Sequence, residues 1–177
     1  IVALAQANNV LTVMDVTQSF GSMPLNTFNY KADIALCSTY KWCGSGFGIG
    51  FLSVREGDVS LQRIVEQFNT GHLEPFSMLR LKFSLERIGQ LGIDHVWKHI
   101  DELSEKLCHG LSAKGVDIYS CRKDHCRSAI VQFAGTEDLV NALGEKGIRC
   151  SYRGRGIRVG VHWYNNEQDV QKLIGAL

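Results

Sequence analysis

The run VLTVMDV at 10–16 is apolar and β-branched with almost no polar interruption. A continuous apolar run, as opposed to an alternating one, predicts a strand buried on both faces, here ending at Asp15. ADIALCS at 32–38 predicts a second strand of the same kind, and GIGFLSV at 48–54 a third. Residues 1–8 read as the end of a helix closed by Asn8 and Asn9, and TQSFGSMPLN at 17–26 is rich in turn formers. A short helix over 59–66 leads into the loop FNTGHLEP at 68–75. The period then changes: Met78, Leu81, Leu85 and Ile88 share one helical face, and the pattern resumes from Ile93 to about Leu111 after a break at QLG, 90–92. The tail predicts strands over 116–121 and 128–133, a helix over 136–146, strands over 148–152 and 156–161, and a helix over 166–176. Asn165 or Asn166 caps that last helix, and acidic residues fill its first turn.

This order is α/β. It places a mostly parallel sheet in residues 1–74 and a smaller α+β domain, entered by a long helix, in residues 75–177. Composition agrees: 177 residues with 45% hydrophobic and 21% charged positions can form a core. The net charge of +1 is spread without blocks, so no nucleic acid partner and no membrane surface is expected. No apolar run is long enough to cross a bilayer. The opening residues lack a signal-peptide pattern and read as if the chain starts inside a helix, so a piece of a longer protein is expected. Six scattered cysteines suggest reduced thiols in a cytoplasm, not a disulfide framework. CRKDHC at 121–126 gathers Cys121, His125 and Cys126, but a structural zinc wants four ligands and no second pair is near, so no metal is expected.

The candidate chemistry gathers around CSTYKWCGSGFGIG, 37–50. Gly44, Gly46, Gly48 and Gly50 alternate, whereas a dinucleotide fingerprint needs G-x-G-x-x-G leading into a helix, and a P-loop needs its lysine after the glycines. Here a strand follows and Lys41 precedes them all. The glycines therefore read as close-approach positions. A flavodoxin-like or Rossmann-like binding module rests on the strand pattern and these glycines alone. Asp15 ends one strand and Lys41 follows the next. In an open parallel sheet ligands bind beyond the carboxyl ends of the strands, so both residues would face one crevice.

VMDVTQSFGSMPLN with ADIALCSTYKWCGSGFGIGFLSVRE resembles the pyridoxal-phosphate (PLP) segment of the class V aminotransferase family. That family has fold type I and includes cysteine desulfurases, kynureninases and isopenicillin-N-epimerase-like proteins. Asp15 and Gln18 match its D-x-x-Q, and Ser38, Tyr40 and Lys41 match its S-x-[HY]-K. IGQLGIDHVWKHI and GIRCSYRGRGIRVGVHWYNNEQDVQKLIGAL are similar to its later segments. The resemblance implies the C-terminal part of a fold type I PLP-dependent transferase. It also implies a role for each matched residue. Lys41 would hold PLP as a Schiff base and move protons. Asp15 would pair with the pyridine nitrogen, Gln18 with the phenolic oxygen, and Ser38 and Tyr40 with the phosphate. Arg158 matches the arginine that takes the substrate carboxylate, a task its bidentate fork suits. His162 would line the same site or serve a structural role. His72 stands where many relatives have a threonine that reaches the partner subunit's phosphate, and would contact a phosphate or cap the long helix.

The implied function is a PLP-dependent transformation of an amino acid by transamination, epimerisation or C–S/β-elimination, in a homodimer. Cys150, inside an apolar run only a few residues before Arg158, reads as a buried structural thiol, which disfavours a cysteine desulfurase. Relatives carry roughly a further half-chain before this segment, which supplies a phosphate loop and a residue stacked on the ring. The alternative is therefore a non-catalytic fragment, or a degenerate member of the fold that does not bind PLP alone.

Overall fold

The computed structural model of the protein describes residues 1–25, 31–55, 57–68, 71, 74–121, 123 and 126–177. They form two compact units, Ile1–Ile93 and Asp94–Leu177.

The first unit carries helix α1 (Val2–Ala7), strands β1 (Val13–Asp15), β2 (Ile34–Ser38) and β3 (Gly50–Val54), and helices α2 (Val59–Glu66) and α3 (Pro75–Leu91). The sheet order is β1-β2-β3. β1 lies parallel to β2, with Val13 opposite Ile34 and Asp15 opposite Leu36. β3 runs antiparallel to β2, with Cys37 opposite Phe51. Chain length explains the reversal: the connection 39–49 is shorter than the dozen or so residues that a parallel crossover needs. An apolar run reports burial, not direction. Burial on both faces holds for the central strand, where Ile34, Ala35 and Cys37 are enclosed. In the flanking strands Val13 is 54% and Leu52 38% exposed.

Helix starts follow capping chemistry. Asp58 Oδ1 accepts from Leu61 N at 3.1 Å to open α2. Glu74 accepts from Phe76 N at 2.9 Å and Ser77 N at 2.6 Å to open α3, with Pro75 in the first turn. The expected break between the long helices falls at Gly92, where α3 ends. The first unit extends past residue 74 because α3 is tied to the glycine-rich segment: Ser77 Oγ donates to Phe47 O at 3.1 Å.

The second unit contains α4 (Ile93–Ala113, from its second residue), β4 (Ile130–Phe133), α5 (Glu137–Glu145), β5 (Ser151–Arg153), β6 (Gly156–Gly160) and α6 (Glu167–Ala176). Its sheet, order β4-β6-β5, is antiparallel throughout. The stripe Val96, Ile100, Leu103, Leu107 and Leu111 gives α4 a buried face at helical spacing. Phe133, Leu143 and Ile157 are fully enclosed.

Two expected strands shrink for one reason. Val116 N donates to Leu111 O at 3.0 Å and Ile148 N to Leu143 O at 2.9 Å, each just after a glycine with φ of 72°. These are Schellman closures, so the first residues of both apolar runs finish helices instead of starting strands. Of 116–121 only a bridge from Ile118 to Phe133 remains, and β5 begins at Ser151. The last helix is capped by Asn166, in a reciprocal capping box with Asp169. Among the described residues no helix is long and apolar enough to cross a membrane.

Candidate active site at the carboxyl end of the first sheet

β1 ends on Asp15 and β2 on Ser38, so the parallel pair delivers both to one edge. Thr17 joins them. Its backbone N–H donates to Asp15 Oδ1 at 2.9 Å, and its Oγ1 accepts from Ser38 N at 2.9 Å. The Thr17 hydroxyl hydrogen-bonds the Asp15 carboxylate, and that bond is the main reason the Asp15 carboxyl is held below its ordinary value. The Thr17 N–H and the charge of Lys41 act in the same direction. Asp15 is therefore ionised at neutral pH while remaining exposed.

The segment after β2 folds back on itself. The Thr39 hydroxyl, buried, donates to Ile49 O at 3.0 Å and lies 2.6 Å from Ser45 Oγ. This clamp closes the loop 39–49 and carries Tyr40 and Lys41 on it. Gly44, Gly46 and Gly48 have φ of 65°, 85° and 87°, a region that only glycine enters freely. A Cβ on Gly46 would lie 3.1 Å from Arg80 Nη1 on α3. Gly50, in β3, is the close-approach position proper, since a Cβ there would lie 2.5 Å from Cys37 O, whereas a Cβ on Gly44 would meet nothing within 4 Å and Gly44 serves the turn alone. Tyr40 stacks on Phe47, centroids 4.9 Å apart, and Lys41 Nζ lies 5.8 Å from the Tyr40 ring centroid.

Gln18 is oriented by Trp42, whose Nε1 donates to Gln18 Oε1 at 3.3 Å. With its oxygen so engaged, the amide presents its NH2 as the remaining donor. Asp15, Gln18, Ser38, Tyr40 and Lys41 are thereby gathered at one sheet end. Together they offer an ionised carboxylate, an amide donor, two hydroxyls and a primary amine. Cys37 and Cys43, in the same stretch, do not join them. Burial pushes Cys37 up to about 11, with the Asp15 charge adding to it, and Cys43 to about 12, so both are protonated structural thiols.

The family sequence model described as Aminotransferase class-V matches residues 1–173. The chain belongs to the class V aminotransferase family. A curated relative, the "Uncharacterized aminotransferase YcbU" of Bacillus subtilis (strain 168), is 19% identical over 197 residues, which cover 100% of this chain and 53% of that protein. Among solved structures, the apo cysteine desulfurase of Thermococcus onnurineus NA1 aligns with a TM-score of 0.82 at 20% identity, covering 98% of this chain and 53% of that one. A C-DES mutant with glycine covalently linked to its PLP cofactor aligns with a TM-score of 0.78 at 20% identity, covering 89% of this chain and 49% of that one. The class V chain described here thus spans about half the length of the relatives it matches, and its fold is that part of a fold type I PLP enzyme.

The second unit holds the other matched residues. Arg158 lies in the middle of β6, opposite Gln132 on β4 and Ser151 on β5. It is half-buried and enters no ion pair among the described residues. Arg127, in contrast, reaches Asp101 Oδ2 at 3.0 Å and Glu105 Oε1 at 3.2 Å. His162 stacks on Tyr164 with centroids 4.0 Å apart, and its backbone N–H donates to Asn165 Oδ1 at 2.9 Å. A cleft of about 380 Å³ in this unit, lined by Arg149, Tyr164 and Lys172 over Leu107 and Leu173, includes neither Arg158 nor His162. His72 lies outside the described residues.

Thr17, Trp42 and the Thr39–Ser45 clamp were not singled out from the sequence. Asp15 carries a readable signal for its bond to the backbone N–H two residues on, as in an Asx turn, but that signal does not single out the Thr17 hydroxyl. Trp42 and Ser45 carry none, since their partners are set by how the loop closes.

Proposed function

We propose that the protein carrying this chain is a PLP-dependent enzyme acting on an amino acid, present here as the part that anchors the cofactor. One observation carries the reading. A carboxylate held ionised, an amide with its NH2 free to donate, hydroxyls and Lys41 converge at the carboxyl ends of parallel strands. That donor set fits PLP group by group. Asp15 would hold the pyridine nitrogen in its protonated form and Gln18 would donate to the phenolic oxygen. Ser38 and Tyr40 would donate to the phosphate, with His72 as a further contact. Bound PLP supplies an electron sink for negative charge at the substrate Cα. Lys41 is the covalent anchor and the group that moves a proton at that carbon. Arg158, without a carboxylate partner of its own among the described residues, would take the substrate carboxylate, and His162 would line that site.

The reaction is transamination, epimerisation or C–S/β-elimination. Burial raises the Cys150 thiol, and Cys150 is only half-exposed, so a mechanism needing it as the nucleophile is disfavoured. A homodimer belongs to the same proposal, as the family resemblance implies. So does a cytoplasmic setting, supported by six free thiols. Residues 1–74 form part of the cofactor-binding domain and 75–177 a small domain in this reading.

The test is absorbance. The chain is titrated with PLP, reduced with borohydride and digested, and the modified peptide is identified. A visible band and an adduct on Lys41, both lost in Lys41→Ala, are expected. An adduct on another lysine with Lys41 unmodified would refute the assignment. The second reading, a non-catalytic piece that does not bind PLP alone, is favoured by exposure of Asp15, Ser38 and Tyr40 and by the half-length match. It predicts no band from the 177-residue chain, and a band once a chain of the relatives' full length is used.

A further inference from the structure

Gln18 and Lys41 lie on different segments, and three contacts lock those segments together. Phe20 N donates to Val16 O at 2.8 Å, a turn that carries Gln18 past the end of β1. Gly44 N donates to Lys41 O at 3.0 Å, a turn that carries Trp42 and Cys43. Between the two turns, Trp42 Nε1 donates to Gln18 Oε1 at 3.3 Å and Cys43 Sγ to Phe20 O at 3.9 Å. The third contact is steric. Gly21 has a φ of 88°, and a Cβ there would lie 2.9 Å from Cys43 Sγ and 3.2 Å from the Trp42 carbonyl carbon, so a side chain would force the turns apart. Trp42 is buried and Gln18 half-buried. An indole N–H can only donate, so it meets the oxygen of an amide and never its nitrogen. The Gln18 NH2 makes no hydrogen bond among the described residues.

On the reading that this site takes PLP, we propose that Trp42 is a positioning residue: its indole N–H holds the Gln18 amide so that the NH2, not the oxygen, is offered to the phenolic oxygen of the cofactor. Trp42 acts through Gln18 and not on the cofactor itself. Released from the indole, the amide is free to turn over and to set its oxygen against the phenolic oxygen, which exchanges a donor for a repelling acceptor. Donation stabilises negative charge on the phenolic oxygen and loosens the proton that oxygen shares within the bound cofactor, so losing the donor tightens that proton. The visible band of bound PLP lasts only while the proton stays, and its fading with rising pH therefore reports which way the Gln18 amide points.

Two measurements test this. In the PLP-free 177-residue chain, Gln18→Leu should speed hydrogen exchange of the Trp42 indole N–H, followed by NMR, by about fivefold. In PLP-loaded protein of the relatives' full length, Trp42→Phe keeps an aromatic ring and loses the N–H. It should move the pH at which the visible band fades upward by about half a unit, and Gln18→Leu should move it upward by about one unit. The double variant should match Gln18→Leu alone, because both substitutions act through one hydrogen bond. A Trp42 that serves packing alone would give shifts that add, or no shift. Additive shifts, a midpoint unmoved in Trp42→Phe while Gln18→Leu moves it, or an indole N–H indifferent to Gln18→Leu would overturn the proposal and leave the PLP reading standing. Indole exchange in Gln18→Leu decides the matter even where Trp42→Phe does not fold. No visible band in the unaltered full-length protein would overturn the PLP reading, and the role of Trp42 with it.

Discussion

Two aspartates mark the two ends of the first sheet, and the fold treats them differently. Asp33, just before β2, is buried. Its Oδ2 accepts from Thr12 N at 2.8 Å and Thr12 Oγ1 at 2.7 Å, and its Oδ1 meets Arg55 Nη1 at 2.6 Å. Asp15, at the other end, is exposed, takes its hydrogen bonds from Thr17 and feels Lys41 as a field. Both carboxyls are held below the ordinary value, Asp33 first by the Thr12 hydroxyl and Asp15 first by the Thr17 hydroxyl. A lowered value therefore does not separate a carboxylate used up by the fold from one left available to a ligand. Saturation does. Asp33 spends both oxygens inside the fold, closing β1, β2 and the residue after β3 into one knot. Asp15 is ionised and still open to a ligand.

The sharpest way to break this contrast is at Asp15. In a PLP-loaded protein of the relatives' full length, Asp15→Asn should cut turnover by about 10³-fold or more, on the order of 4 kcal/mol, while the thermal midpoint stays where it was. If the variant melts earlier and keeps its rate, the two aspartates have been assigned the wrong way round. Asp33→Asn should do the reverse. Loss of the Thr12 and Arg55 interactions should lower unfolding free energy by about 2 kcal/mol, discounted because Arg55 is 46% exposed. Urea titration measures it, and turnover per folded molecule should hold.

The pH dependence of that deficit refines the comparison. Asp33 has a folded value below its unfolded one, so its contribution is complete above about pH 4 and fades as pH falls through the lower folded value. The gap between wild type and Asp33→Asn in urea should be full at pH 7 and should narrow as pH falls below the ordinary carboxyl range. The smallest effect belongs to Thr17→Val, which removes a donor from Asp15 and an acceptor from Ser38 N, at about 1 kcal/mol. Carboxyl titration by NMR should show Asp15 moving back up toward its ordinary value. No movement would mean that Thr17 does not hold the carboxylate down.

Much of this was legible in the sequence wherever a local rule governs. The helix over 59–66, the break near Gly92 and the cap at Asn166 follow from periodicity and capping, which act within one turn. Asp15, Gln18, Ser38, Tyr40 and Lys41 were picked out by their motif; Asp15 and Ser38 end two paired parallel strands, and Tyr40 and Lys41 follow on the loop 39–49. Asp33 was missed because its meaning depends on Thr12 and Arg55, which reach it only through strand register. The direction of β3 was missed because burial and direction are separate properties. The strands expected over 116–121 and 148–152 were overstated because glycine-led helix closures claimed their first residues, a competition decided by five-residue hydrogen bonds invisible to an apolar count.

β1 has a hydrogen-bonded neighbour on one side only among the described residues, and Val13 on it and Leu11 just before it are 54% exposed each. The consequence is colloidal. An open, apolar edge is a template for another strand, so the chain handled by itself should self-associate in proportion to concentration. A charge on that edge, Val13→Lys, should hold it dispersed in light scattering without touching Asp15 or Lys41.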